Sequence, residues 1–270
     1  MLLLVVDTAG PTGGVLLARW ETESRDRAVI QDGLQISQDG LQILGSSELQ
    51  PRAFSIQMIP AIAGLLQAST LRLTDVDGFA VVSGPGSFTG LRVGLSTVKA
   101  MAEVTGKPIL ALSHLAILAS VASGLYPQES PGTPVSPDTQ VSGGTPVHTV
   151  LDAGRGEFYH GVYRNAGKTC VSEAFQTLDT LVASIQSEPG LVVASEPAAR
   201  HALDGRGIHV REIPSITVRD VLPLAAVAWR AGEFHDSASL DANYLRRSDA
   251  VVVSRPPSTG QPAQRSGCKS

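Results

Sequence analysis

The sequence predicts an α/β protein of two lobes built on one plan, and three observations lead there. Short apolar runs that end in turns alternate with amphipathic helical stretches from residue 52 onward. A central stretch, 124–145, is dense in Pro, Gly, Ser and Thr and divides the chain. Beyond it the opening pattern starts again: Val147-His148-Thr149-Val150-Leu151-Asp152-Ala153-Gly154 echoes Leu4-Val5-Val6-Asp7-Thr8-Ala9-Gly10. Further on, Gly190-Leu191-Val192-Val193-Ala194-Ser195-Glu196-Pro197 echoes Gly78-Phe79-Ala80-Val81-Val82-Ser83-Gly84-Pro85. Short apolar runs closed by a turn are common, so chance similarity and internal duplication both stay open at this level.

Residues 2–6 are a continuous apolar run and read as a buried strand; the turn residues 7–14 lead back into a second strand over 15–20. Residues 28–44 are extended in pattern and hold a tandem repeat, Gln31-Asp32-Gly33-Leu34-Gln35-Ile36 recurring as Gln38-Asp39-Gly40-Leu41-Gln42-Ile43. A solenoid needs about three stacked units, so the repeat reads as a locally lengthened surface hairpin. A helix is expected over 52–69, with Ile59, Ile62, Leu65 and Leu66 on one face. Residues 78–83 form a strand, 84–89 a glycine-rich loop, and 90–105 a helix stopped by Gly106 with Pro108 beyond. A strand at 109–112 and a short helix capped by Ser113 and running to Ser120 complete a βββαβαβα unit. The expected division is a first lobe over 1–112, a connecting helix over 113–123 and a flexible insertion over 124–146. A second lobe over 147–250 carries a C-terminal helix near 218–231, and 251–270 reads as a disordered tail.

Composition narrows the function. Of 270 residues 43% are hydrophobic and 17% charged, as in an ordinary globular protein rather than a disordered one. A net charge of −4 offers no global basic field for nucleic acid, and 4% aromatics argue against a stacking platform for bases. No apolar run approaches the roughly 20 residues of a membrane span. The opening run also lacks the basic start and cleavage site of a signal peptide. Cys170 and Cys268 cannot make a disulfide framework, so the cytoplasm is the expected compartment.

The stretch Gly84-Pro85-Gly86-Ser87-Phe88-Thr89-Gly90-Leu91-Arg92 is the one most suggestive of chemistry. A strand that enters a glycine-rich turn and then a helix aims backbone N–H groups outward at a positive helix end. Asp7, Gly84, Gly86, Ser87, Thr89 and Gly90 are therefore the candidates for an anion or nucleotide loop, with Ser87 or Thr89 able to cap the helix. Leu91 stands where a Walker A lysine would follow, Thr89 replaces the third dinucleotide-fold glycine, and Pro85 breaks the nucleophile-elbow frame. Anion binding and a purely structural tight turn remain equal readings of the loop.

The same nine residues resemble the signature of the bacterial TsaB (YeaZ) family. Asp7-Thr8 matches that family's opening, and Asp152-Ala153 with Arg155, Glu157 and Tyr159 resembles its Asp-Ala-Arg-x-x-Glu-x-Tyr motif. Tyr244-Leu245-Arg246 is similar to its C-terminal motif, so the likeness covers roughly 1–247. The sequence departs from the pattern at Gly154, at Phe54 where the family has His, and in the 10–14 turn. The resemblance implies a two-lobed actin-like (ASKHA) fold from duplicated βββαβαβα-type units. It also implies membership of the complex that makes threonylcarbamoyladenosine at position 37 of ANN-decoding tRNAs.

Within such a complex this chain reads as a noncatalytic scaffold that pairs with a TsaD-type catalytic subunit. A TsaE-type ATPase and tRNA would be met through the complex, and a homodimer is left open. A TsaD-type subunit is implied to bind metal through His-x-x-x-His on a helix. Here His114, His148, His160, His201, His209 and His235 include no such pair, and neither metal nor cofactor is expected. The second-lobe echo sets Glu196 where Gly84 stands and Ala198 where Gly86 stands, so a degenerate nucleotide cleft is expected. The alternative is a free-standing ASKHA kinase or transferase using ATP through Asp7 and Asp152. In the 90–105 helix Leu91, Leu95, Val98 and Ala102 form one apolar stripe, while Arg92, Ser96, Lys99 and Glu103 form a polar strip. Val93, Thr97, Ala100, Met101 and Val104 form a second apolar stripe, expected to meet the partner.

Overall fold

Apolar runs broken by turn residues fold here into two sheets of identical connectivity. The computed structural model describes residues 1–20, 40–124 and 145–245, so most of the repeated hairpin, the insertion and the tail lie outside the described residues. Strand β1 (Leu2–Asp7) pairs antiparallel with β2 (Gly13–Trp20), and β3 (Leu41–Leu49) pairs antiparallel with β2. Helix α1 (Phe54–Ala68) leads to β4 (Gly78–Gly84), parallel to β1, and α2 (Phe88–Thr105) leads to β5 (Ile109–Ser113). After α3 (His114–Ala122) the chain repeats itself as β6 (Val147–Gly154), β7 (Glu157–Arg164), β8 (Thr169–Thr177) and α4 (Leu178–Ser187). Then come β9 (Leu191–Ala194), α5 (Pro197–Asp204), β10 (Arg211–Glu212) and α6 (Leu222–Ala231). The orders β3-β2-β1-β4-β5 and β8-β7-β6-β9-β10 coincide strand for strand. Duplication thus wins over chance. Even the first turns agree: the Asp7 carboxylate accepts from Ala9 N–H and the Asp152 carboxylate from Gly154 N–H, both at 2.9 Å.

The register differs in one respect. Val5 lies opposite Ala80, whereas Val150 lies opposite Ala194. Carried forward, the ladders set Val82 beside Asp7 and Glu196 beside Asp152, two residues out of step with the sequence echo.

Helix α3 joins the halves. It is buried all round, with Leu115, Ile117, Leu118 and Ala119 fully removed from solvent. It packs on β4 and β5 of one sheet and on β6, β7 and β9 of the other. A helix with no polar face requires cover on every side, which two sheets supply. A shared core therefore runs through both lobes, with one outer core under α1 and α2 and another under α4 and α5. Ser113 does not cap α3 as expected from the sequence. Its hydroxyl donates to Glu173, which also accepts from the Tyr163 hydroxyl and binds the first lobe to β8.

Two sequence expectations are corrected by packing. The buried stripe of α1 is Phe54, Met58, Ile62 and Leu66, and Ile59 faces outward. The α6 helix belongs with the first lobe rather than the second: it packs on β5 and α3, and a Cβ on Gly78 would meet the Trp229 ring at 2.4 Å. Leu110 and Leu112 of β5 need an apolar cover that α6 provides, whereas β10 is only two residues long and offers little surface to pack against.

From α6 the chain returns as a strap along α2. His235 N–H donates to the Ile109 carbonyl, Ser237 Oγ to Glu103, and Lys99 Nζ to the Leu240 carbonyl at 2.7 Å. Asn243 N–H donates to the Ser83 carbonyl, its side-chain amide to Glu173, and Arg92 Nε to the Tyr244 hydroxyl. The polar strip of α2 is thus where the C-terminal segment is tied down.

A second buried polar pair went unnoticed in the sequence. His148 and His160 stack across the β6–β7 hairpin, with His148 Nδ1 and His160 Nε2 3.0 Å apart. His148 Nε2–H donates to the Glu188 carbonyl, and His160 Nδ1 meets the Gln176 side-chain amide at 3.1 Å. The Arg164–Glu188 ion pair lies alongside. Burial, and then the neighbouring His148, pull His160 down from 6.5 to about 4, and burial lowers His148 as well. An unfolded chain takes up a proton near 6.5 that folded His160 refuses until about 4. Stability is expected to be complete above pH 6.5 and to fall by on the order of 3 kcal/mol down to about pH 4. Urea unfolding at stepped pH measures this, and His160→Gln should flatten the slope in that window.

Candidate functional site

Between the lobes lies a cleft of about 440 Å³. Ala9, Gly10 and Pro11 of the β1–β2 turn, Pro51, Arg52 and Phe54 before and at the start of α1, and Gly86 and Ser87 line one side. Leu151, Asp152, Ala153, Tyr159 and Glu196 line the other, with His114 also contributing to the lining. His114 is the first residue of α3, and its Nδ1–H donates to the Pro85 carbonyl at 3.2 Å.

The proposed anion-loop residues separate in space. Gly86 and Ser87 reach the cleft, Thr89 is exposed on the first turn of α2, and Asp7, Gly84 and Gly90 are buried behind the lining. Asp7 is 2% exposed; burial raises its carboxyl above the ordinary range, with His114 opposing the shift. The glycines serve close packing. A Cβ on Gly90 would sit 2.1 Å from the Thr8 carbonyl oxygen, and one on Gly86 would sit 2.4 Å from that of Ala9. The first turn of α2 therefore seats directly on the β1–β2 turn, where Ser87 N–H donates to the Ala9 carbonyl and Thr8 Oγ1 to the Gly90 carbonyl, each at 2.8 Å. Ser87 caps α2 by accepting from Gly90 N–H. Tight turn and close packing account for the small residues of the loop without a ligand.

The second lobe answers with carboxylates. Glu196, the N-cap of α5, accepts from Asp152 N–H at 2.5 Å, and burial raises its pKa. At the neighbouring hairpin tip Gly154 pairs with Glu157 around Arg155 (φ 59°) and Gly156 (φ 74°), a type I′ turn. Arg155 is exposed at this tip. Among the described residues no group of three His, Cys, Asp or Glu side chains is disposed to hold a metal ion.

The expected partner face on α2 also divides. Met101 is corrected: it is 7% exposed and lies in the core beneath α1 and α2. Three residues beyond Val98, it falls beside the buried stripe, which is broader than a single row. Val93 and Thr97 are half-buried, Ala100 is exposed and Val104 is 84% exposed. On α1, which packs against α2, Ile56 is 73% and Ile59 55% exposed. Helical periodicity placed Ile59 on the buried face of the helix and did not single out Ile56.

The sequence profile of the TsaD family, tRNA N6-adenosine threonylcarbamoyltransferase, matches residues 47–209. The chain belongs to this family. It is also homologous to TsaB: the tRNA threonylcarbamoyladenosine biosynthesis protein TsaB of Escherichia coli K12 is 30% identical over 117 residues, 43% of this chain and 44% of that protein. The tRNA N6-adenosine threonylcarbamoyltransferase of Sphingopyxis alaskensis is 40% identical over 68 residues, 25% of this chain and 20% of the enzyme. The chain spans less than half the length of these curated relatives. Two solved structures from Pseudomonas aeruginosa share the fold. YeaZ superposes with a TM-score of 0.61 at 22% identity, covering 90% of this chain and all of that one. A protein described as similar to peptidase YEAZ superposes at 0.65 with 24% identity, covering 91% and 99%. TsaD-family membership and the fold place this chain in the ASKHA superfamily tied to tRNA modification.

The role of the loop glycines is testable. Gly90→Ala should cost about 1–3 kcal/mol, because a backbone carbonyl blocks the added methyl. Gly64→Ala, where nothing lies within 4 Å, should instead stabilise α1 by about 0.5–1 kcal/mol. Urea melts of the two variants make the comparison.

Proposed function

We propose that this chain is a noncatalytic scaffold subunit of a complex that forms threonylcarbamoyladenosine in tRNA, and that it pairs with a TsaD-type catalytic subunit. The observation that carries the reading is the outward face of α1 and α2. Ile56, Ile59, Ala100 and Val104 stand in solvent, while Arg92, Lys99 and Glu103 of α2 are engaged by the C-terminal strap. Small residues such as Ala100 allow a second helix to approach closely. A TsaE-type ATPase and the tRNA would join through the catalytic partner.

The cleft supports the same reading from the other side. A phosphate between the lobes would face Asp152 and Glu196, and like charges repel in a partly desolvated space. Asp7 is engaged with its own turn. We therefore place catalysis in the partner. Among the described residues no helix is long and apolar enough to cross a membrane. A cytoplasmic setting belongs to the proposal on a separate ground, the two cysteines that make no disulfide framework.

Ala100→Glu puts a charge at the centre of the proposed contact without entering the core, because Ala100 is exposed. The variant should keep its circular dichroism and lose pairing with the catalytic subunit in size-exclusion chromatography, since an unpaired buried charge costs several kcal/mol. A folded variant that pairs normally would refute the interface. The chain alone should form no threonylcarbamoyladenosine and turn over no ATP, while addition of the catalytic subunit, the ATPase and threonylcarbamoyl-adenylate restores product. Robust ATP turnover by the solitary chain would favour the free-standing enzyme instead.

A further inference from the structure

Most of the large apolar side chains exposed among the described residues gather on α1, α2 and the strap. Besides Ile56, Ile59 and Val104 they include Phe88 at the start of α2 and Tyr244 of the strap, whose rings lie 5.5 Å apart. The two rings hold Arg92 from two sides: its Cζ lies 3.8 Å over the Phe88 ring, and its Nε–H donates to the Tyr244 hydroxyl at 3.2 Å. Beyond these contacts Arg92 makes no hydrogen bond or ion pair among the described residues, so Nη1 and Nη2 stay open. Stacking and the Nε bond have already ordered a side chain that would otherwise lose its freedom on binding. Arg92, Ser96 and Ala100 follow one another at four-residue spacing and are all exposed. The guanidinium therefore extends the row on which the proposed partner contact is centred. Lys99, the other cation of α2, is committed to the Leu240 carbonyl. A nucleic-acid backbone is held by several cations at once, whereas this face has one open guanidinium on a chain of net charge −4. A single carboxylate, two oxygens against a planar fork, fits it better.

We propose that Arg92 docks an Asp or Glu side chain of the catalytic partner and so orients that partner on α2, while Ile56, Ile59, Ala100 and Val104 supply the apolar contact. The proposal deepens the scaffold reading and rests on it. A charged pair at the edge of an apolar contact chiefly steers the encounter and fixes its register. Flanked by two rings, this pair is screened less by water and salt than one on an open surface.

The test is titration of the full chain with the TsaD-type subunit, by calorimetry and by association kinetics at low and high salt. Arg92→Ala should weaken pairing at least about tenfold and flatten its salt dependence. Arg92→Lys keeps the charge without the fork and should regain only part of the loss. Tyr244→Phe removes the Nε contact but keeps the ring, and should weaken pairing clearly less than Arg92→Ala. Hydrogen exchange at the Asn243 amide, which donates to the Ser83 carbonyl, reports whether the strap stays docked in each variant. Unchanged pairing of Arg92→Ala overturns the proposal. Equal losses in Arg92→Ala and Tyr244→Phe, or a loss that comes with faster exchange at Asn243, also overturn it and leave Arg92 as an anchor of the strap. If Arg92→Ala weakens retention of tRNA by the solitary chain and leaves pairing intact, the guanidinium serves a phosphate and the proposal falls. Where Arg92→Ala pairs normally and Ala100→Glu does not, the scaffold reading stands without the carboxylate; where the native chain does not pair at all, both fall.

Discussion

A helix without a polar side can persist in water only when other elements enclose it, and α3 is such a helix. Leu115, Ile117, Leu118 and Ala119 are fully buried, and no one sheet could cover all of them. Each such large side chain contributes about 1.5–3 kcal/mol by leaving water, so the two sheets are held together by the same residues that end the first lobe. The cleft follows from this. His114, the first residue of α3, sits in the lining because the helix it starts is wedged between the sheets.

Around that wedge the polar contacts decide which surfaces stay open. Glu173 gathers Ser113 of the first lobe, Tyr163 of the second and Asn243 of the strap on one carboxylate. The strap then occupies the Arg92, Lys99 and Glu103 flank of α2. Ala100 and Val104 stay uncovered on α2, as Ile56 and Ile59 do on α1, which packs against it. The proposed partner face is thus the remainder after the chain has satisfied its own hydrogen bonds.

The loop from Gly84 to Arg92 shows how far a motif carries. Its residue types resemble the family signature, yet the physical demand on Gly86 and Gly90 comes from Ala9 and Thr8, far away in the chain. Nothing in the spacing of the loop distinguishes a cradle for an anion from a seat for another turn. The same holds for His148 and His160, whose meeting depends on the register of the β6–β7 hairpin. Pairing the two strands on paper from the 154–157 turn sets the rings on opposite faces, and only the register shift between Asp152 and Gly154 brings them to one face, which no local residue pattern signals.

The sequence by itself determined the local elements and their order. Apolar runs became strands, Gly106 in the left-handed region ended α2, and Ser87 capped its start. The two echoes marked a duplicated plan, and the loop marked the family. Tertiary structure alone decided that Met101 is core, that Ile59 is surface, that α6 crosses back to the first lobe and that Asp7 lies behind the cleft. The reason is geometric. Helical and strand periods say which side chains share a face, but what covers that face is set by elements that arrive from a hundred residues away.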